Sequence, residues 1–123
     1  MKDELAALAR AFVYAFTGIG HLVASQRNAR IHLALAVLAV ILALWLGLSG
    51  TEWAVLALTI GMVLAAEGMN TAVEALVDLT CPEPHPLARI VKDTAAGAVL
   101  LTALTAVVVG CILFLPRLFA LFS

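Results

Sequence analysis

The stretch Trp53–Thr80, WAVLALTIGMVLAAEGMNTAVEALVDLT, decides how this chain folds. Its first half, Trp53 to Ala66, is almost pure hydrocarbon and long enough to begin crossing a bilayer. Its second half then places Glu67, Asn70, Glu74 and Asp78 at helical spacing. At about 100° per residue these four side chains fall within roughly 80° of one helix face. An ionised group at membrane depth is costly unless it is paired or wetted, so such residues are functional candidates by default. The stripe points to an intramembrane enzyme and not to a plain anchor.

Composition agrees. The chain has 123 residues, of which 64% are hydrophobic and 12% charged, with a mean hydropathy of +1.12. A soluble domain is about half apolar and about a quarter charged. The net charge is −1, so nothing in the bulk charge suggests nucleic acid as a partner. Cys81 and Cys111 lack metal-site spacing and fall near opposite membrane faces, so no disulfide between them is expected. The beginning of the chain, with Lys2, Asp3 and Glu4, does not read as a cleavable leader.

Outward from the deciding stretch, the spacing predicts an all-α integral membrane protein in a single domain, residues 1–123. Spans are expected at about 30–48, 53–79 and 87–115, preceded by a surface helix at about 3–24. Gly47-Leu-Ser-Gly50 with Thr51 and Glu52 separates the first two spans, and Ser49 or Thr51 can cap the second. Cys81-Pro-Glu-Pro-His-Pro86 ends the second span, and Pro116 is expected to stop the third.

Basic residues set the orientation. Lys2, Arg10, Arg27 and Arg30 precede the first span, and Arg89 and Lys92 lie between the second and third. Loop 49–52 has none, and only Arg117 follows the third span. The positive-inside bias places the N-terminus and the 80–92 loop in the cytoplasm. Trp45 and Trp53 then serve as interfacial anchors at the outer face. In the N-terminal segment Leu5, Leu8, Phe12, Phe16, Ile19 and Val23 form an apolar stripe, with Arg10, Tyr14, Thr17 and His21 on another face. That pattern is an amphipathic helix lying on the membrane surface, either as an anchor or as one wall of a site.

Glu67 is about 21 Å from the outer end of its helix, and Glu74 and Asp78 lie progressively nearer the cytoplasm. Lys92 and Asp93 stand opposite, one turn inside the next span. Such a site opens to cytoplasmic water and reaches just below the headgroups, where a lipid hydroxyl and a nucleotide can meet. Phosphoryl transfer to a hydroxyl needs charge neutralisation, positioning and a group that accepts the hydroxyl proton. Carboxylates with Mg²⁺, together with Lys92, can supply the first, and desolvated Glu67 can supply the base. The plainer reading is that these groups are inter-helix pairs that specify packing. His32, His21, Arg27, Arg30 and Cys111 are expected to serve packing and headgroup contact.

Glu67-Gly-Met-Asn70-Thr71-Ala72-Val-Glu74-Ala-Leu-Val-Asp78, then His85, then Ala88-Arg-Ile-Val-Lys92-Asp93-Thr-Ala-Ala-Gly97, resembles the prokaryotic diacylglycerol kinase and undecaprenol kinase family, whose pattern reads E-x-x-N-[ST]-A-x-E-x-x-x-D. Upstream, Arg27-Asn28-Ala-Arg30-Ile-His32 is similar to that family's E-R-N-F-R-I-H segment. The resemblance covers about residues 10–116. It implies ATP-dependent phosphorylation of a membrane lipid, diacylglycerol or undecaprenol, with ATP and Mg²⁺ as cofactors.

Residue by residue, the resemblance makes Glu67 the catalytic base and places Asn70 and Ala96 with it around the lipid. Glu74 becomes a carboxylate holding the metal and the nucleotide phosphates. Tyr14, Glu83, His85, Lys92 and Asp93 become nucleotide contacts. The family is homotrimeric with shared sites, and three spans alone cannot enclose a polar stripe, so partner chains must. At one position the chain departs from the pattern: Gln26 stands where a second metal carboxylate is usual. An amide carbonyl is a weaker ligand for a hard cation, and Gln26 is kept as a metal candidate. The upstream string leans toward undecaprenol, but interchangeable Leu, Val and Ala in chain pockets cannot separate the two lipids. A small proton-coupled transporter using Glu67 is the alternative that the stripe also admits.

Overall fold

A computed structural model describes residues 1–123 as four helices: α1 (Lys2–Ser25), α2 (Arg27–Leu46), α3 (Gly50–Thr80) and α4 (Pro86–Leu121). All four are long and apolar enough to cross a membrane, α1 included. At 1.5 Å per residue α3 and α4 run about 46 and 54 Å, well beyond a hydrocarbon core of about 30 Å. Both therefore carry at least one end into the polar zone, and the stripe on α3 lies toward such an end.

Each boundary has a local cause. Gln26 adopts an extended conformation (φ −103°, ψ 118°) and separates α1 from α2. Arg30 Nη1 reaches back to the Ala24 carbonyl at 3.4 Å, satisfying one of the free acceptors where α1 ends. Gly47 closes α2 in the left-handed region (φ 68°), where a side chain would be strained. Ser49, and not Thr51, caps α3. Its hydroxyl accepts from the Glu52 N–H at 3.3 Å, while the Ser49 N–H donates to Glu52 Oε2 at 2.8 Å. The loop prolines end α3 at Thr80, but Pro86 starts α4 at its first turn, where a missing N–H costs nothing.

The expectation that Pro116 stops the last helix is wrong: α4 runs through it to Leu121. Proline removes one helical hydrogen bond, to the Ile112 carbonyl, and leaves the others intact. The adjoining turn is held from outside the ladder, because Arg117 Nη1 donates to the Leu113 carbonyl at 3.2 Å and to Glu52 Oε1 at 2.8 Å. Apolar helices tolerate such a proline when side chains and neighbouring helices brace the turn around it.

The principal packing is α3 against α4, with α2 laid across both and α1 touching only α2 and α3. One apolar cluster, Ala43, Leu48, Leu56, Leu113 and Phe114, joins α2, α3 and α4 at the Glu52 end, with Trp53 packed onto it. Trp45 is exposed. Beyond this cluster few residues are buried and α1 has none, so the chain leaves most of its apolar surface for lipid or for other chains.

Candidate active site

Glu67 is the most deeply buried polar residue of the molecule, 2% exposed, halfway along α3. Helical spacing sets Asn70 one turn further on, where its amide Nδ2 donates to Glu74 Oε1 at 3.1 Å. Thr71 Oγ1 donates to the Glu67 main-chain carbonyl at 2.9 Å, so that hydroxyl is spent on the helix itself. Two acceptor oxygens are then left over: Glu67 Oε1 and Asn70 Oδ1 are buried and have no hydrogen-bond partner. Orphaned buried acceptors cost about 1–3 kcal/mol each. A pair of them on one helix face is a socket waiting for a donor.

The sequence reading missed one residue here. His32, read as packing, brings its Nε2 to 3.1 Å from Glu67 Oε1. The ring lies off the hydrogen-bonding direction, so the oxygen remains unpaired despite the short approach. Two signals were present: His32 is the one polar residue in the apolar run Ile31–Leu48 before Ser49, and it ends the Arg27–His32 motif.

Two apolar cavities adjoin α3 near this turn, although Glu67 itself lines neither. One of about 240 Å³ lies between α2, α3 and α4 and is lined by His32, Leu35, Thr59, Ile60 and Val63. The other, about 660 Å³, lies between α1, α2 and α3 beside Leu22, Ala29, Leu33, Gly68 and Thr71.

Toward the loop the chemistry turns ionic. Lys92 Nζ donates to Asp78 Oδ1 at 2.5 Å, joining α4 to the last turns of α3. Between this pair and the proline loop lies a cavity of about 640 Å³, lined by Asp78, Glu83, His85, Arg89 and Lys92 among others. That volume lies within the roughly 300–1,000 Å³ of small-molecule sites. His85 also caps α4, its Nδ1 accepting from the Leu87 N–H at 3.1 Å.

The structure thus gathers Glu67, Asn70 and Glu74 along one line and Glu83, His85 and Lys92 around one cavity. Others stand apart within a single chain. Asp93 pairs with Arg89 along its own helix at 3.7 Å. Tyr14 is 70% exposed on α1, and Ala96 is exposed on α4. The side chain of Gln26, at the α1–α2 break, makes no hydrogen bond to Glu74. No group of three or more His, Cys, Asp or Glu side chains converges on one point.

Comparison with known proteins brings an independent line. A family model described as prokaryotic diacylglycerol kinase matches residues 13–114. The chain is similar to a diacylglycerol kinase of Synechocystis sp., 49% identical over 111 residues, 89% of this chain but 63% of that protein's length. It is similar to an undecaprenol kinase of Bacillus subtilis, 38% identical over 117 residues and 95% of each chain. A diacylglycerol kinase of Escherichia coli is 36% identical over 77 residues, 63% of each.

Proposed function

The chain belongs to the prokaryotic diacylglycerol kinase family, and from that premise we propose that it transfers the γ-phosphoryl group of ATP to the hydroxyl of a membrane lipid, diacylglycerol or undecaprenol. The observation that carries this reading is the pair of buried, unpartnered acceptors, Glu67 Oε1 and Asn70 Oδ1. A lipid hydroxyl is a donor that arrives without charge through an apolar medium, and it fits a socket of this kind. The adjoining apolar cavities accept its chains.

In the reaction Glu67 takes the hydroxyl proton as the lipid oxygen attacks phosphorus. Asn70 positions the hydroxyl and, through its Nδ2, holds Glu74. Glu83, His85 and Lys92 receive the nucleotide in the loop cavity, with Lys92 opposing the phosphate charge. Glu74 has one carboxylate oxygen free of the Asn70 bond, a hard donor suited to Mg²⁺, which is usually held by one or two carboxylates plus substrate phosphates. Gln26 would add a neutral oxygen. When bound, the metal supplies neutralisation of the triphosphate.

Tyr14, Asp93 and Ala96 complete the site from a neighbouring copy in a homotrimer. Their exposure in a single chain and its wide uncovered apolar surface support that assembly. We assign the chain as one domain with three spans and α1 on the cytoplasmic surface of the inner membrane, where its Arg10–Tyr14–His21 face meets headgroups. The transporter alternative requires a polar path to both ends. Between Trp53 and Ala66 no titratable residue continues the stripe, and the cavity in that half is lined there by apolar side chains and Thr59.

Purified protein in mixed micelles, given γ-labelled ATP with diacylglycerol and undecaprenol in competition, tests the reading. Labelled lipid is expected, and the favoured product identifies the acceptor. Absence of label in either lipid at saturating Mg²⁺ rejects it.

A further inference from the structure

Each turnover of the proposed reaction leaves a proton behind. The lipid O–H bond breaks as its oxygen bonds to the γ-phosphorus, and the bond from that phosphorus to the bridging oxygen breaks with its electron pair leaving on ADP. The proton stays on the Glu67 carboxyl. A protonated Glu67 cannot serve as base again, and its side chain is 3% exposed. Something must return the proton to water.

We propose that His32 is a positioning residue for Glu67 that also relays this proton away, an assignment that rests on the lipid kinase reading above. His32 Nε2 is 3.1 Å from Glu67 Oε1, and the histidine side chain is 21% exposed where the carboxyl is sealed. About 8 Å of helix separates His32 from Arg27 at the start of α2, where the ring would release the proton to interfacial water. The other polar neighbours are occupied: Thr71 donates to the main chain and Asn70 to Glu74. The ring nitrogen therefore has the carboxyl to itself. It approaches off the hydrogen-bonding axis, which leaves Oε1 open for the lipid hydroxyl until the proton has arrived. Imidazole is the side chain best suited to accept and release a proton near neutral pH.

The surroundings fit a relay of one imidazole. The cavity beside it receives Thr59, Ile60 and Val63 from α3 and Ala103, Ala106 and Val107 from α4, so His32 is its sole titratable side chain. The volume of about 240 Å³ also means that truncating His32 opens room for a free imidazole molecule next to Glu67.

That room supplies the test. In the micelle assay with the full chain, H32A should lower kcat by about 10²-fold while the KM for ATP stays within about twofold. Added imidazole should restore part of the lost rate in a saturable way. H32Q, whose amide fills the space but cannot carry a proton, should be as slow as H32A. Wild-type kcat in H32A, or a slow H32A that binds ATP normally and ignores imidazole, overturns the relay. If H32A misfolds and loses ATP binding, H32Q decides: a wild-type kcat overturns the proposal, and a loss of about 10²-fold with ATP binding kept supports it. A wild-type protein that labels no lipid overturns the kinase reading itself, which is a different result from an active wild type with an indifferent H32A.

Discussion

The two halves of α3 obey opposite rules. At the Glu52 end the charged groups are matched. Ser49 and Glu52 close a capping box, and Arg117 Nη1 and Nη2 grip the two carboxylate oxygens at 2.8 and 2.7 Å. Beneath them Ala43, Leu56, Leu113 and Phe114 pack into the one apolar cluster. At the other end the acceptors of Glu67 and Asn70 are buried without partners, and the two larger cavities lie there and toward the loop, while the smaller one reaches the packed end at Leu56 and Phe114. One helix thus keeps its satisfied, closely packed part apart from its unsatisfied part, where a ligand would complete the hydrogen bonding. Matched groups stabilise a fold, whereas buried unmatched ones cost free energy that a bound donor would recover.

Substitutions that strike one half and spare the other are the way to break this contrast. The largest effect is expected from Glu67→Gln, which keeps the shape and removes the base. Lipid phosphorylation should fall by about 10³-fold or more, while nucleotide binding, measured by equilibrium titration, is retained. Lost binding with residual turnover would reverse the roles given to the two ends of the stripe.

Phe114→Ala should do the opposite, leaving kcat per folded molecule near wild type and lowering stability. Phe→Ala in a core costs about 3–5 kcal/mol. The low end applies here, because lipid is already apolar and only packing is lost. Unfolding in micelles measures it, and a kcat that drops together with stability would show the two halves to be coupled.

Glu52→Gln is a milder probe of the same end. Glu52 lies before the apolar run that starts at Trp53, and the Arg117 guanidinium, then the Ser49 N–H, hold its carboxyl at about 2 instead of 4.5. A carboxyl lowered on folding stabilises the protein above the unfolded value. That contribution is complete above pH 4.5 and is lost as pH falls toward about 2. Thermal melting between pH 6 and pH 3 should therefore show a steeper acid loss in wild type than in Glu52→Gln. Parallel curves would remove Glu52 from the account.

The smallest effect is expected at the open end. Gln26→Glu should lower the Mg²⁺ concentration needed for half-maximal activity by roughly tenfold or less, since one carboxylate replaces a neutral oxygen. An unchanged requirement removes Gln26 from the metal site.

Much of this was legible from residues alone. The polar stripe showed itself through spacing, and three helix ends announced themselves through Gly47, Ser49 and the Cys81–Pro86 prolines. Pro116 misled because proline removes a single hydrogen bond, and its presence says nothing about the next residue, Arg117, bracing that turn against Leu113 and Glu52. His32 was undervalued because a histidine in an apolar run looks the same whether it faces lipid or a carboxylate.

Hydropathy and helical periodicity act on neighbours a few residues apart, so the sequence by itself determined the four helices, their membrane character and the line of Glu67, Asn70, Glu74 and Asp78. Which side chains meet across helices depends on the rotation and relative height of each rod, set by the summed packing of interchangeable Ala, Leu and Val. Only the tertiary structure decided that His32 faces Glu67, that Lys92 meets Asp78 and that Arg117 reaches Glu52.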